Sequence, residues 1–183
     1  MNIEVKKERL QNRLGPEIKA FRESRRTLQL ATISAEGKPN VSYTPFVLLD
    51  DGYYILISKI ACHARNLLAN PHISFMMIED EQNSKMLHAR KRLTYEAQAV
   101  VIERDTAQWK IGIDALQNRF GEIIDNLSNM ADFTLFQLQP ENGLFVKGFG
   151  KAFQVGADDL IDFVHLNQGH QTIDKTKEKS VES

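Results

Sequence analysis

Apolar residues at Ile3, Leu10, Leu14, Ile18 and Phe21 recur at spacings of three, four and seven, which predicts a helix over residues 3–26 with one packed face. Gly15-Pro16 falls inside that pattern and marks where the helix would be interrupted, because proline brings no N–H to the helical ladder. From Thr27 the period changes to two. Residues 27–34 alternate, Ala35-Glu36-Gly37-Lys38 turns the chain, and 39–49 returns as a second strand. Asp50-Asp51-Gly52 turns it again into the apolar run 53–58, so three antiparallel strands are expected to follow one another as a meander. Residues 62–70 read as a short helix stopped by Pro71, and 72–78 as the next strand.

Further along, 92–102 is predicted as a long strand, and the stripe Trp109, Ile113, Leu116, Phe120, Ile123, Ile124 and Leu127 predicts one helix over 105–127. Residues 133–138 alternate, Pro140 to Gly143 reads as a turn, and 144–155 forms the last expected strand. After it, 158–168 has the pattern of a short amphipathic helix that runs into Gly169 and His170. About six short strands joined by tight turns, with helices between and after them, describe a closed or nearly closed antiparallel barrel; an open α+β sheet is the alternative from pattern alone.

With 183 residues, 42% hydrophobic and 26% charged, the chain has enough apolar material for one domain, expected over 1–173. Residues 174–183, dominated by Lys175, Lys177, Glu178, Lys179 and Glu182, are expected to be a disordered tail. The net charge of −1 argues against a nucleic-acid partner, and a solvated helix face accounts for the basic residues between Lys6 and Arg26. No apolar run reaches eighteen residues and the chain opens on alternating charge, so no membrane segment and a cytoplasmic location are expected. The single cysteine, Cys62, has no partner for an internal disulfide and is expected as a packed or half-exposed thiol.

Ser58 to Pro71, followed by a strand and by Arg90-Lys91-Arg92-Leu93-Thr94-Tyr95, resembles the FMN-binding split-barrel proteins related to pyridoxamine 5′-phosphate oxidase. More narrowly, Phe145-Val146-Lys147-Gly148-Phe149-Gly150 and the closing Asp162-Phe163-Val164-His165 with Gly169-His170 resemble the haem-utilisation HugZ/HutZ branch, over roughly residues 5–173. The resemblance implies an α+β, mainly β fold, an antiparallel six-stranded split β-barrel with flanking helices. It also implies a homodimer with haem b at the interface, as both cofactor and substrate, held by a C-terminal segment (about 157–173) through His170. It points to Asp132 as an acidic partner of that histidine, to Arg92 as a basic group on the opposite face of the haem, and to Thr27 as an interface position. The implied reaction opens the porphyrin with dioxygen and an external electron donor, releasing iron and a biliverdin-type product; a haem-delivery protein is a further implied partner.

These residue types fit that chemistry. A carboxylate that accepts the Nδ1 proton of an iron-bound imidazole makes the ligand more basic, and an arginine supplies hydrogen bonds and charge without ligating. Each also has a plain structural role. Asp132 precedes a strand where aspartate often turns the chain, Arg92 opens a strand beside two other cations, and Thr27 is a β-branched residue at a strand start. His63, on the short helix, faces either the haem or water. The run Val41 to Leu48 offers hydroxyls but no arginine, which argues against FMN. An intracellular haem carrier or storage protein, or an FMN-dependent oxidoreductase, are the alternative functions.

Overall fold

The computed structural model describes residues 3–163. Helix α1 (Ile3–Ser24) buries Leu10, Leu14, Ile18 and Phe21, and runs through Pro16 without the predicted interruption. Asn12 and Pro16 are both exposed, so the carbonyl that loses its helical partner meets water instead of a packed surface. Eight strands and three helices follow it to Gly156: β1 (Thr27–Ile33), β2 (Pro39–Pro45), β3 (Val47–Leu49), β4 (Gly52–Ser58), α2 (Cys62–Ala69), β5 (His72–Ile78), β6 (Arg92–Ile102), α3 (Ala107–Phe120), α4 (Ile123–Ser128), β7 (Phe133–Val146) and β8 (Ala152–Gly156). A short strand β9 (Ile161–Phe163) pairs with β8.

The sheet runs in the order β2-β1-β5-β6-β7-β4-β3, every neighbour antiparallel. Its two end strands, β2 and β3, are halves of the one predicted strand 39–49 and are separated only by the buried Phe46. Pro45 brings no ladder donor and Phe46 turns into the core, so the segment leaves β1 and takes up β4 as its new partner. The ladder thereby returns on itself as a barrel of six strands, with β8 and β9 as an extension beside β7. This corrects the expected meander, because the second strand pairs with its neighbours half by half instead of along its length.

Alternation decides what fills the barrel. Leu28, Leu30, Phe75, Met77, Leu93, Tyr95, Phe136 and Phe145 point inward, and Tyr53, Phe75 and Tyr95 pack ring against ring. Helix α1 covers the end at which β1 begins, where Phe21 meets Phe145 and Glu17 pairs with Lys91 and Lys147. Helix α2 closes the other end, its buried Asn66 donating to Thr32 (3.0 Å). Outside the barrel, α3 and α4 form a second core against Tyr54, Leu56 and Leu135.

Four further expectations are corrected. The 105–127 stripe is two helices, because Gly121 sits at φ 84° and ends α3, which leaves Ile123 exposed. Pro140 to Gly143 is not a turn but a bulge inside the 14-residue β7: Ala97 pairs with Pro140 and Glu96 with Asn142, leaving Glu141 out of the backbone register while its side chain accepts from Gln98 of β6 (2.9 Å). There β7 exchanges one edge partner for another, β4 up to Leu138 and β8 from Asn142, so Pro140 interrupts no ladder on that side. The helix expected from Asp158 begins instead as a turn followed by β9. Cys62, expected packed or half-exposed, is exposed.

Gly143 accommodates the core ring of Tyr95: a Cβ there would lie 2.5 Å from Cε1 and 2.7 Å from Cδ1 of a residue that is 1% exposed. Gly143→Ala is expected to destabilise the chain by about 1–3 kcal/mol through overpacking, measured as a lower urea midpoint at unchanged slope.

Candidate functional site

Helices cover the outer surface of the barrel unevenly. With α3 and α4 packed on β4 and the start of β7, the outward residues of β2, β1, β5, β6 and the second half of β7 have no covering helix among the described residues. Val41, Tyr43 and Ile33 are exposed on this face, beside the outward-pointing Met76 and Ile78, with Leu144 at its far side. The β1–β5 register sets Gln29 opposite Met76; extended by two residues, it sets Thr27 opposite Ile78, which pairs with Arg92, which pairs with Val146. Thr27 and Arg92 therefore share one outward row, about 10 Å apart at the usual strand spacing.

Arg92 differs from its cationic neighbours. Arg90 is tied to Glu81 (3.2 Å) and Lys91 to Glu17 (3.1 Å), but Arg92 makes no ion pair among the described residues. Its guanidinium donates only to the Arg90 carbonyl (3.3 Å), and it is half-buried. A half-buried guanidinium with unused donors keeps the capacity to bind an anionic group.

Asp132 lies at the other end of the barrel. It immediately precedes β7, whose first residue pairs with Ser58 at the end of β4. The Ser58 hydroxyl donates to Asp132 Oδ2 (2.5 Å), and the Lys59 N–H donates to the Asp132 carbonyl (2.7 Å). Arg104, stacked on Trp109 at 4.5 Å, donates to the carbonyls of Ser128, Met130 (3.0 Å) and Phe133 (3.1 Å), so the loop is held on both sides of Asp132. His63 is at this same end, near the start of α2 and half-buried; burial lowers the pKa of its imidazole and favours the neutral form, whose ring nitrogen has a free lone pair. His170 lies outside the described residues.

The residues named from sequence thus form two groups. Thr27 and Arg92 stand on the uncovered face at the barrel end where β1 begins, and Asp132 and His63 at the end where it finishes. Arg92 pairs with the last residue of β7 and Asp132 precedes the first, so at about 3.3 Å per residue the strand between them runs on the order of 40 Å. That exceeds the reach of any side chain. Sequence alone assigned Ser58, Lys59 and Arg104 no role of their own, although the first two open the Ser58–Pro71 motif: Ser58 and Asp132 are separated by 74 positions, and a serine at a strand end carries no signal of its partner.

A cavity of about 740 Å³ beside Arg22, Tyr53 and Arg119 contains neither group. Its cations are already engaged, Arg22 by Asp159 through two bonds (2.7 and 2.8 Å) and Arg119 by the carbonyls of Glu23 and Arg25. Arg22 Nε and the Tyr53 hydroxyl, both at this cavity, are buried without a hydrogen-bond partner among the described residues.

Comparison with known proteins adds to this geometry. A pyridoxamine 5′-phosphate oxidase family profile matches residues 14–147. The chain is 62% identical over 173 residues to the haem oxygenase HutZ of Vibrio cholerae serotype O1, covering 94% of this chain and 98% of that protein. Among solved structures it is similar to V. cholerae HutZ, described there as a haem storage protein, with a TM-score of 0.72 over 75% of this chain and 97% of that one. Campylobacter jejuni ChuZ is 33% identical with a TM-score of 0.80, over 87% of this chain and 66% of that one.

The Arg104 clamp has a measurable weight. Arg104→Ala leaves three carbonyls without their donor and is expected to cost about 1–3 kcal/mol of stability, read from urea unfolding. Arg104→Lys is expected to recover only part of it, because an ammonium lacks the fork that reaches all three acceptors.

Proposed function

The chain belongs to the pyridoxamine 5′-phosphate oxidase family, and on that premise we propose that it binds haem between two subunits and opens the porphyrin ring oxidatively, releasing iron and a biliverdin-type product. The near full-length likeness to a haem oxygenase carries this reading. Bound haem supplies the iron that activates dioxygen and the macrocycle that is cleaved, while electrons come from an external donor. We propose haem b as the substrate and the cytoplasm as the place of action. No described helix is long and apolar enough to cross a membrane.

The chemistry assigned to the chain follows from its side chains. His170 is the iron ligand. Asp132 accepts the Nδ1 proton of that imidazole, fixing the ring and strengthening its donation to the metal. Arg92 supplies hydrogen bonds and positive charge on the opposite face, and its unspent donors beside Ile78 and Val146 suit a flat apolar dianion. Thr27, two strands away on the same row, borders the interface, and His63 lines its far side.

The separation of Arg92 and Asp132 supports a homodimer. One chain cannot bring the two ends of β7 to one porphyrin, whereas two chains packed through their uncovered faces can set Arg92 of one protomer beside Asp132 of the partner subunit. FMN is not proposed as a ligand. On β2, Ser42 and Thr44 alternate to the barrel side and Thr44 is buried, so the outer face of that strand offers a phosphate neither hydroxyl.

One specific observation favours a second reading. The solved HutZ structure is described as that of a storage protein, and storage would need the same ligand with no ring opening. Hemin added to the purified apo-chain, followed in air after ascorbate with catalase present, separates the two. The expected outcome is a Soret band that requires His170 and then decays as bile-pigment absorbance and chelatable iron appear. A stable Soret band would establish storage, and no uptake would return the barrel to a flavin. Shared assembly has its own test in co-purified heterodimers of Arg92→Ala with Asp132→Leu. Each homodimer is expected to lose most ring opening, and the heterodimer to recover about half of wild-type activity, because one of its two sites is intact; no recovery would put both residues in one chain's site.

A further inference from the structure

We infer that Ser58 is a positioning residue for ring opening, one that aims the Asp132 carboxylate at the haem-ligating imidazole. The inference rests on the reading of Asp132 given above, and it starts from how the hydroxyl is used. Ser58 Oγ accepts the Ile60 N–H (3.1 Å) and lies 2.5 Å from Asp132 Oδ2. With one lone pair taken by a backbone N–H, the hydroxyl proton is left to point at the carboxylate, so the direction of donation is set by the strand end and not by chance rotation. Oδ2 is thereby occupied. Oδ1 takes no hydrogen bond among the described residues and is the oxygen left to accept from an imidazole.

A purely structural stitch is the competing explanation, and the surrounding bonds argue against it. The loop is already held through backbone carbonyls, by Lys59 N–H on Asp132 itself and by Arg104 on Ser128, Met130 and Phe133. None of these bonds touches the carboxylate. The Ser58 bond is the one that engages the carboxylate, and it restricts the rotation of a half-buried side chain whose second oxygen takes no hydrogen bond among the described residues. Groups that orient a metal ligand's partner in this way change metal-site properties by about 10- to 100-fold when removed.

The test compares Ser58→Ala and Ser58→Thr in the full-length chain. In crystals of the apo-protein, Asp132 is expected to keep its rotamer in Ser58→Thr and to leave it in Ser58→Ala. In the hemin-loaded, reduced protein, the iron–imidazole stretching band in resonance Raman is expected to shift to lower frequency in Ser58→Ala, with ring opening slowed about tenfold, and both to be restored by Ser58→Thr. An unmoved rotamer, an unmoved band, or a Ser58→Ala chain that does not fold would overturn the positioning role. A wild-type chain that takes up no hemin would overturn the haem reading instead, and the apo-protein rotamer would still decide whether Ser58 orients the carboxylate.

Discussion

The ladder between β6 and β7 is the constraint from which the rest of the structure follows. Eleven residues of β6 pair with β7, and β7 is long enough to serve β4 along its first half and β8 along its second. The bulge at Glu141 lets one continuous strand do both, because the extra residue bends the ladder between the two partners. A shorter β7 would close the barrel but lose the β8–β9 extension. It would also bring Arg92 and Asp132 closer together.

The distribution of helices follows from the same barrel. Each mouth needs an apolar plug, supplied by α1 at one end and α2 at the other, and α3 with α4 cover the outer side of β4 and the start of β7. The remaining outer face carries Val41, Tyr43 and Ile33 exposed, too much apolar surface in one place to be accidental. Arg92 lies in that face and has no carboxylate partner among the described residues, so the exposed apolar surface and an uncompensated charge coincide.

At the opposite end, order is imposed by backbone acceptors. Arg104 and the Lys59 N–H hold the 128–133 loop by its carbonyls, which leaves the Asp132 side chain free to be aimed by Ser58. Holding the main chain with one set of bonds and the side chain with another keeps the placement of the loop and the direction of the carboxylate on separate interactions. A residue that looks like an ordinary turn aspartate is thus given a defined direction.

Periodicity alone was enough for the elements whose neighbours are close in sequence, the α1 stripe from Leu10 to Phe21 and the alternation of β1 and β6, but it left a closed barrel and an open sheet both standing, and the six-stranded barrel came from the family resemblance. The particular motifs around Ser58–Pro71 and the 145–150 run were enough for the family, and through it for haem. Tertiary structure decided the rest. That the 39–49 segment divides between β1 and β4, that Pro140 to Gly143 is a bulge instead of a turn, and that Gly121 splits one stripe into two helices all depend on partners distant along the chain. The separation of Arg92 from Asp132 and the contact of Ser58 with Asp132 are of the same kind, since hydrophobic period reports which face of an element is buried but carries no information about which distant residue it meets.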